Sequence, residues 1–454
     1  MQNPIINWEA YHHTLNQTPT IVRQGRVTQV VGLTIEAQGL QAQIGELCYI
    51  MPEEVEPRRG DQKQIPAEVM GFRDARTLLM PLGEMHGIGP GSMVQASGAM
   101  FKVPVGRALL GRVLDGLGRP IDGKGPIYPQ TTYPVAASAP PPLGRIKISQ
   151  PLETGVRAID GLLTVGKGQR MGIFAGSGVG KSTTMGMIAR HARANISVIA
   201  LIGERGREVQ EFIERDLGED GLAHSVVVVS TSDQPALVRL KGAWVATAIA
   251  EYFRDQGQDI TFLMDSVTRF AMAQREIGLA IGEPPAMKGY TPSVFALLPK
   301  LLERTGTNQQ GTITSFYTVL VESDDMTEPI TDAVRSILDG HIVLSRDLAA
   351  QNHYPAINVL ESVSRVMSAV TAPSHRAAAG QLRDLLAAYT NARDLINIGA
   401  YAEGSNPEID RAITLMPAIL NFLRQDAHDP TPYPDTLNRL QTITGVEITT
   451  EQNK

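Results

Sequence analysis

The string AGSGVGKS, Ala175 to Ser182, constrains this chain more than any other part of it. The apolar run Met171-Gly172-Ile173-Phe174 stands directly before it, and a helix-compatible stretch from Ser182 to Ala192 follows. Strand, glycine-rich turn and helix in that order make a phosphate-binding P-loop. Backbone N–H groups of such a turn, together with the positive end of the helix, wrap a polyphosphate. Gly178 and Gly180 let the backbone approach that closely, Lys181 reaches the β/γ-phosphates, and the Ser182 hydroxyl holds Mg²⁺. Ala175 occupies the first position of the pattern G-x-x-x-x-G-K-[ST], where a small residue suffices. The expected nucleotide contacts are Ala175, Gly176, Ser177, Gly178, Val179, Gly180, Lys181, Ser182 and Thr183.

The chain has 454 residues, enough for two or three domains with a sizeable core. Its formal net charge of −6 gives no electrostatic case for nucleic acid or an anionic membrane as the main partner. The single cysteine, Cys48, excludes an intrachain disulfide and fits a reducing compartment. Inside LCYI it reads as a small buried hydrophobe rather than a reactive thiol. No stretch approaches the roughly 20 apolar residues of a membrane span. The N-terminus has no basic region followed by an apolar core, so a cytosolic protein is expected. His12 and His13 lack Cys or His partners at ligand spacing and read as a solvated pair.

Patterning divides the chain. Within residues 1–20, Ile5, Trp8, Tyr11 and Leu15 make an apolar stripe on a short helix, which either packs back on the protein or docks a partner. Residues 21–95 carry short β-rich runs (RVTQVVGLTIEA, AQIGELCYI, AEVMGF, RTLLMPL) that suit a small barrel or sandwich. Residues 96–151, rich in Gly and Pro from 104 on, read as a surface connector with turns at Asp115-Gly116 and Asp122-Gly123. From 152 to 370, apolar runs (MGIF, SVIALI, SVVVVS, ITFLMD, TSFYTVLV, HIVLS) alternate with helical stretches. That alternation indicates an α/β domain with a parallel sheet covered on both faces. Residues 371–454 are mainly helical, with Leu382, Leu385, Leu386, Tyr389 and Ile396 on one face.

A nucleoside triphosphatase also needs a carboxylate for the metal side, a group that positions water, and a positive charge for the transition state. Asp265 ends the apolar run ITFLMD and suits the metal-associated Walker B role, or else caps the helix that follows. Glu204 follows the strand SVIALI, where a carboxylate can orient the attacking water or accept its proton. It fits equally a surface acid paired with Arg205 or Arg207, and spacing alone leaves both readings open.

The stretches GERGREVQEFIERDLG, TSDQPALVRLKGAWVATAIAEYFRDQG, MDSVTRFAMAQREIGLAIGEPPA, GYTPSVFALLPKLLERTG and VLSRDLAAQNHYPAINVLESVSRVM carry a resemblance over nearly the whole chain. It resembles the catalytic ATPases of the rotary F/V type, in their type III protein-export branch. IGAYAEGSNPEIDRAI and LGEMHGIGPGS are similar to flagellar members of that branch; virulence-type injectisome ATPases are the alternative. More distant alternatives are a β-type subunit of an ion-translocating rotary ATPase and a RecA-fold RNA motor. The resemblance implies a RecA-like P-loop core with an N-terminal small β-barrel and a C-terminal helical domain. It implies that Glu204 polarises water, that Arg205 belongs to the catalytic set, and that Asp265 holds Mg²⁺ through water. Arg365, in SVSRVM, matches an arginine finger acting on a neighbouring subunit's ATP, which requires a homohexamer. Tyr354, in HYPA, matches the aromatic that packs on adenine; Phe422 matches a second base-side aromatic only loosely. Implied partners are a stator-like ATPase regulator, a central stalk protein, export gate membrane proteins and export chaperone–substrate complexes, with no nucleic acid. The implied location is cytoplasmic, peripheral to the inner face of the cell membrane.

Overall fold

A computed structural model describes Trp8 and residues 22–52, 64–128, 131–321 and 325–449. The N-terminal stripe lies outside the described residues except for Trp8, which is helical and exposed. The chain forms two compact units, divided between Phe101 and Lys102.

Alternation builds the first unit. In ELCYIM every second residue is buried, so one face of that strand turns inward. Six such strands, β1 (Gln24–Val31), β2 (Thr34–Gln38), β3 (Glu46–Met51), β4 (Ile65–Arg73), β5 (Arg76–Pro81) and β6 (Met93–Met100), close into an antiparallel barrel. Closure leaves no edge strand unpaired. The run RVTQVVGLTIEA makes two strands rather than one, and β6 carries the barrel past the expected boundary at residue 95. Ile35, Cys48, Ile50, Leu79 and Val94 fill the interior. Burial, with Glu46 adding to it, pushes the Cys48 thiol up to about 12, which makes it inert as expected.

The second unit starts with β7 (Lys102–Val105), β8 (Arg112–Asp115) and β9 (Thr131–Pro134). β10 (Arg170–Ala175), β11 (Ile196–Ile202), β12 (Ser225–Ser230) and β13 (Asp259–Asp265) follow. The last strands are β14 (Gly306–Thr307), β15 (Thr312–Leu320), β16 (Gly340–Leu344) and β17 (Ile357–Ser364). The main sheet runs β17-β16-β10-β15-β13-β11-β12-β8, with β14 attached to β15. From β16 across to β8 it is parallel; β17 and β14 pair antiparallel. Every residue of β11 and β12 is buried, as a sheet covered on both faces requires.

One stretch departs from the sequence reading. The stretch 96–151 is not a free connector, because β8 extends the sheet beside β12 and β7 pairs with β9. Its predicted turns do form: Asp115 Oδ1 accepts from the N–H groups of Leu117 and Arg119, and Asp122 Oδ1 from that of Lys124. The helices α1 (Arg157–Leu162), α2 (Lys181–His191), α3 (Ala236–Asp255), α4 (Val267–Ala280), α5 (Pro373–Asn397), α6 (Pro407–Leu423) and α7 (Tyr433–Thr444) pack on this sheet and on one another. Leu382 and Leu385 of α5, Ile419 of α6 and Leu440 of α7 share one apolar core with Ile159, Ile188 and Ile342. Leu386 and Tyr389 pack at its margin, and Ile396 is half-buried.

Arg304 is fully buried and donates to Val135 O at 2.8 Å and to both carboxylate oxygens of Glu251 on α3. Removing one partner of such a pair strands the other without water. Arg304→Ala should therefore lose about 3–5 kcal/mol of stability in urea unfolding. Arg335→Ala, which breaks an exposed pair with Asp332, should lose less than about 1 kcal/mol in the same measurement.

Candidate active site

The parallel sheet brings the ends of β10, β11 and β13 to one edge. Ala175 stands level with Leu320 and Leu344, and Leu201 pairs with Asp265. Beyond that edge lies a cleft of 940 Å³ lined by the P-loop, Glu204, Thr268 and Arg269 among others. A cleft outside the carboxyl ends of parallel strands is where α/β sheets bind ligands.

The loop owes its shape to its glycines. Gly178 and Gly180 hold φ of 78° and 89°, which residues with a Cβ rarely adopt. Gly180 precedes the first turn of α2, and its carbonyl accepts both N–H and Oγ1 of Thr184 at 3.0 Å. No side chain caps that helix end, so its N–H groups remain for an anion. Ala175 and Val179 are buried in the core, which explains why the first position needs only a small apolar residue. Ser182 and Thr183 line the cleft.

Lys181 joins the chemistry together. Its Nζ lies 2.5 Å from Asp265 Oδ1 and 3.1 Å from Glu204 Oε1. Thr318 Oγ1 donates to the same Asp265 oxygen at 2.7 Å. Burial alone would lower the Lys181 pKa, but the Asp265 and Glu204 carboxylates outweigh it and raise the value. Burial, then the Asp265 charge, pushes Glu204 up to about 7 against the pull of Lys181. The structure sets the partners that spacing left open. Glu204 pairs with Lys181, while Arg205 pairs with Glu208 and Arg207 with Glu211, each at 3.6 Å. Asp265 is not the cap of α4, since Ser266 Oγ accepts the Arg269 N–H instead.

The donors aimed at the phosphate end are oxygens, from Ser182, Asp265 and Glu204. Among the described residues no group of three or more His, Cys, Asp or Glu could hold a metal unaided. A hard cation that keeps water and takes most of its ligands from substrate phosphates, as Mg²⁺ does, fits this set.

The remaining expected residues fall in different places. Tyr354 follows the buried His353, is 41% exposed and lies against the P-loop, where a Cβ on Gly180 would sit 3.5 Å from its Cδ1 and Cε1. Phe422 does not join it: it is buried in the core, its Cζ 2.8 Å from where Gly161 would carry a Cβ. Arg205 lines the cleft with its side chain 80% exposed. Arg365 follows β17 and donates to the carbonyls of Asp339 and Leu338, just before β16 begins. It therefore occupies the amino edge of the sheet, opposite its own P-loop.

Sequence reasoning missed Arg269. It sits on the first turn of α4, and its stem crosses Gly203, whose Cβ would come within 2.7 Å of the Arg269 Cβ. Its Nε is buried without a hydrogen-bond partner at the wall of the cleft, and a phosphate oxygen is the acceptor such a group calls for. The only signal was position, one turn after Asp265. Glu208 and Thr318 were missed for the same reason: each acts on a group the motifs had already named.

Comparison with known proteins agrees with this fold. Residues 27–98 match the beta-barrel domain and residues 155–364 the nucleotide-binding domain of the ATP synthase alpha/beta family. Residues 371–442 match the T3SS EscN ATPase C-terminal domain. The chain is 56% identical to a flagellum-specific ATP synthase of Bacillus subtilis, covering 95% of this chain and 98% of that one. It is 53% identical to a type 3 secretion system ATPase of Xanthomonas euvesicatoria, over 93% and 94% respectively. The structure of the assembled ATPase EscN from enteropathogenic E. coli superposes with a TM-score of 0.87 at 48% identity, covering 92% of this chain and all of that one. Barrel, P-loop sheet and C-terminal helices thus all agree, and the chain belongs to the ATP synthase alpha/beta family, among its type III export ATPases.

Proposed function

We propose that the chain hydrolyses ATP with Mg²⁺ as a homohexamer and thereby powers chaperone release, unfolding and export of flagellar proteins. The observation that carries the hydrolytic reading is Lys181 Nζ bridging Glu204 and Asp265 at the mouth of the P-loop. When ATP enters, Lys181 turns from the carboxylates to the β/γ-phosphates, while the loop N–H groups and Arg269 take the remaining phosphate oxygens. Ser182, and Asp265 through water, would hold Mg²⁺, which would neutralise part of the phosphate charge. Glu204, freed from Lys181, orients a water whose oxygen attacks the γ-phosphorus. The bond from that phosphorus to the bridging oxygen of ADP breaks, and the water's proton passes to the Glu204 carboxylate. Arg365 of a neighbouring copy adds positive charge to the γ-phosphoryl group, and Tyr354 packs on adenine.

The match of residues 371–442 to an export-ATPase C-terminal domain favours this branch over a rotary synthase subunit. The 56% identity to the Bacillus flagellar protein supports the flagellar use. One relative was solved in complex with its central stalk EscO, and an equivalent stalk is proposed as a partner here. A stator-like regulator at residues 1–20, the membrane export gate and chaperone–substrate complexes complete the proposed set, at the inner face of the cell membrane. Loss of motility in a deletion strain, with effector secretion intact, supports flagellar use; the reverse outcome supports an injectisome.

Lys181→Ala and Glu204→Gln should each abolish ATP hydrolysis, and Glu204→Gln should retain nucleotide binding by calorimetry. Normal turnover in Glu204→Gln would refute its role on water.

Because the Glu204 pKa is raised to about 7, the group is protonated below that pH and cannot accept a proton. The kcat/KM for ATP should therefore fall as pH drops through about 7. Protonated Glu204 donates a hydrogen bond to the Glu208 carboxylate, which contributes to that rise, so Glu208→Gln should move the limb to lower pH.

Arg365→Ala should remove the gain in specific activity that accompanies assembly, read as activity against protein concentration. A wild type whose specific activity is independent of concentration would exclude action between subunits.

A further inference from the structure

Tyr354 is held by its main chain as well as by its ring. Its carbonyl accepts the N–H of Gln425 at 2.9 Å. Gln425 is 7% exposed and stands in the loop after α6, with its own amide fully engaged. Oε1 accepts the Arg157 N–H at 2.9 Å, and Nε2 donates to Gly155 O at 2.7 Å and to Asp429 O at 2.9 Å. The Arg157 side chain secures the same loop. Its guanidinium donates to the carbonyls of Asn421, Phe422 and Arg424 and to Thr431 Oγ1, so it caps the end of α6. On the far side, Arg190 of α2 donates to Ala427 O at 2.6 Å. Residues 421–431 are thus fixed to both ends of the P-loop region, to Gly155 and Arg157 before it and to Arg190 after it.

We propose that Gln425 is a positioning residue for the nucleotide base: its amide locks this loop to Gly155 and Arg157, and the locked loop holds Tyr354 over the P-loop. The proposal rests on Tyr354 being the base platform. The triphosphate is gripped by α2 and the loop glycines, which Gln425 does not touch. Losing its amide should therefore weaken recognition of the base and spare recognition of the phosphates. A role in general stability would weaken both.

The test compares ATP with inorganic tripolyphosphate, which has no base, on the full-length protein by calorimetry, with kcat and KM for ATP measured alongside. Gln425→Ala should weaken ATP roughly tenfold, the scale of one aromatic contact. It should raise KM by the same factor, with kcat within about twofold, and leave tripolyphosphate affinity unchanged. Gln425→Glu keeps the acceptor for Arg157 and loses the donor to Gly155, and it carries the same test should the alanine variant unfold. In a Tyr354→Ala background, Gln425→Ala should weaken ATP no further. Equal weakening of ATP and tripolyphosphate, or multiplying effects in the double variant, would overturn the proposal. If Tyr354→Ala weakens ATP and neither Gln425 variant does, the positioning role falls alone. If Tyr354→Ala leaves ATP as tight as before, the platform reading falls and takes the proposal with it.

Discussion

One ammonium group organises this molecule. Two carboxylates, Asp265 and Glu204, sit within reach of Lys181 Nζ at a largely buried strand edge. Like charges so placed repel, and with a single cation between them one acid is pushed toward its protonated form. Burial first, and this repulsion after it, account for the raised Glu204 value. In the proposed cycle the ligand's phosphates draw Lys181 away, and both acids then become available for metal and water. The fold supplies the geometry by ending β10, β11 and β13 together, and the motif by placing the lysine one residue past a left-handed glycine.

How much of this was legible in the sequence depends on how far each interaction reaches. The P-loop was readable because its conformation is local: positive φ at Gly178 and Gly180 can be foreseen from residue type. The apolar strands β10 to β13, β15 and β16 were readable because burial on both faces leaves a near-continuous apolar run. β17 is a mixed edge strand and β8 lies in a Gly/Pro-rich stretch, so neither announced itself. Whether Glu204 faces the cleft or pairs with Arg205 or Arg207 needed the third dimension. So did the loop around Gln425, whose partners Arg157 and Gly155 lie 268 and 270 residues away.

The misplacement of Phe422 has the same origin. An aromatic in the last turn of a helix near a nucleotide site reads equally as a base contact or as core. Gly161 decides it, because the missing side chain on α1 leaves the space that the Phe422 ring fills. That packing, with Leu382, Ile419 and Leu440, merges the C-terminal helices with the nucleotide-binding sheet. No linker insulates the two, because the P-loop helix and α6 contribute residues to one apolar core.

The position of Arg365 carries a further consequence. Each chain has its P-loop cleft at one sheet edge and Arg365 at the other, so in the proposed ring two copies would meet through unlike surfaces. Head-to-tail contacts of that kind grow into an open filament unless the rotation closes on itself. On this reading, an open row would strand a cleft at one end and a finger at the other. In the proposed ring, closure removes both ends, so ATP turnover would reach its full rate only in the complete assembly.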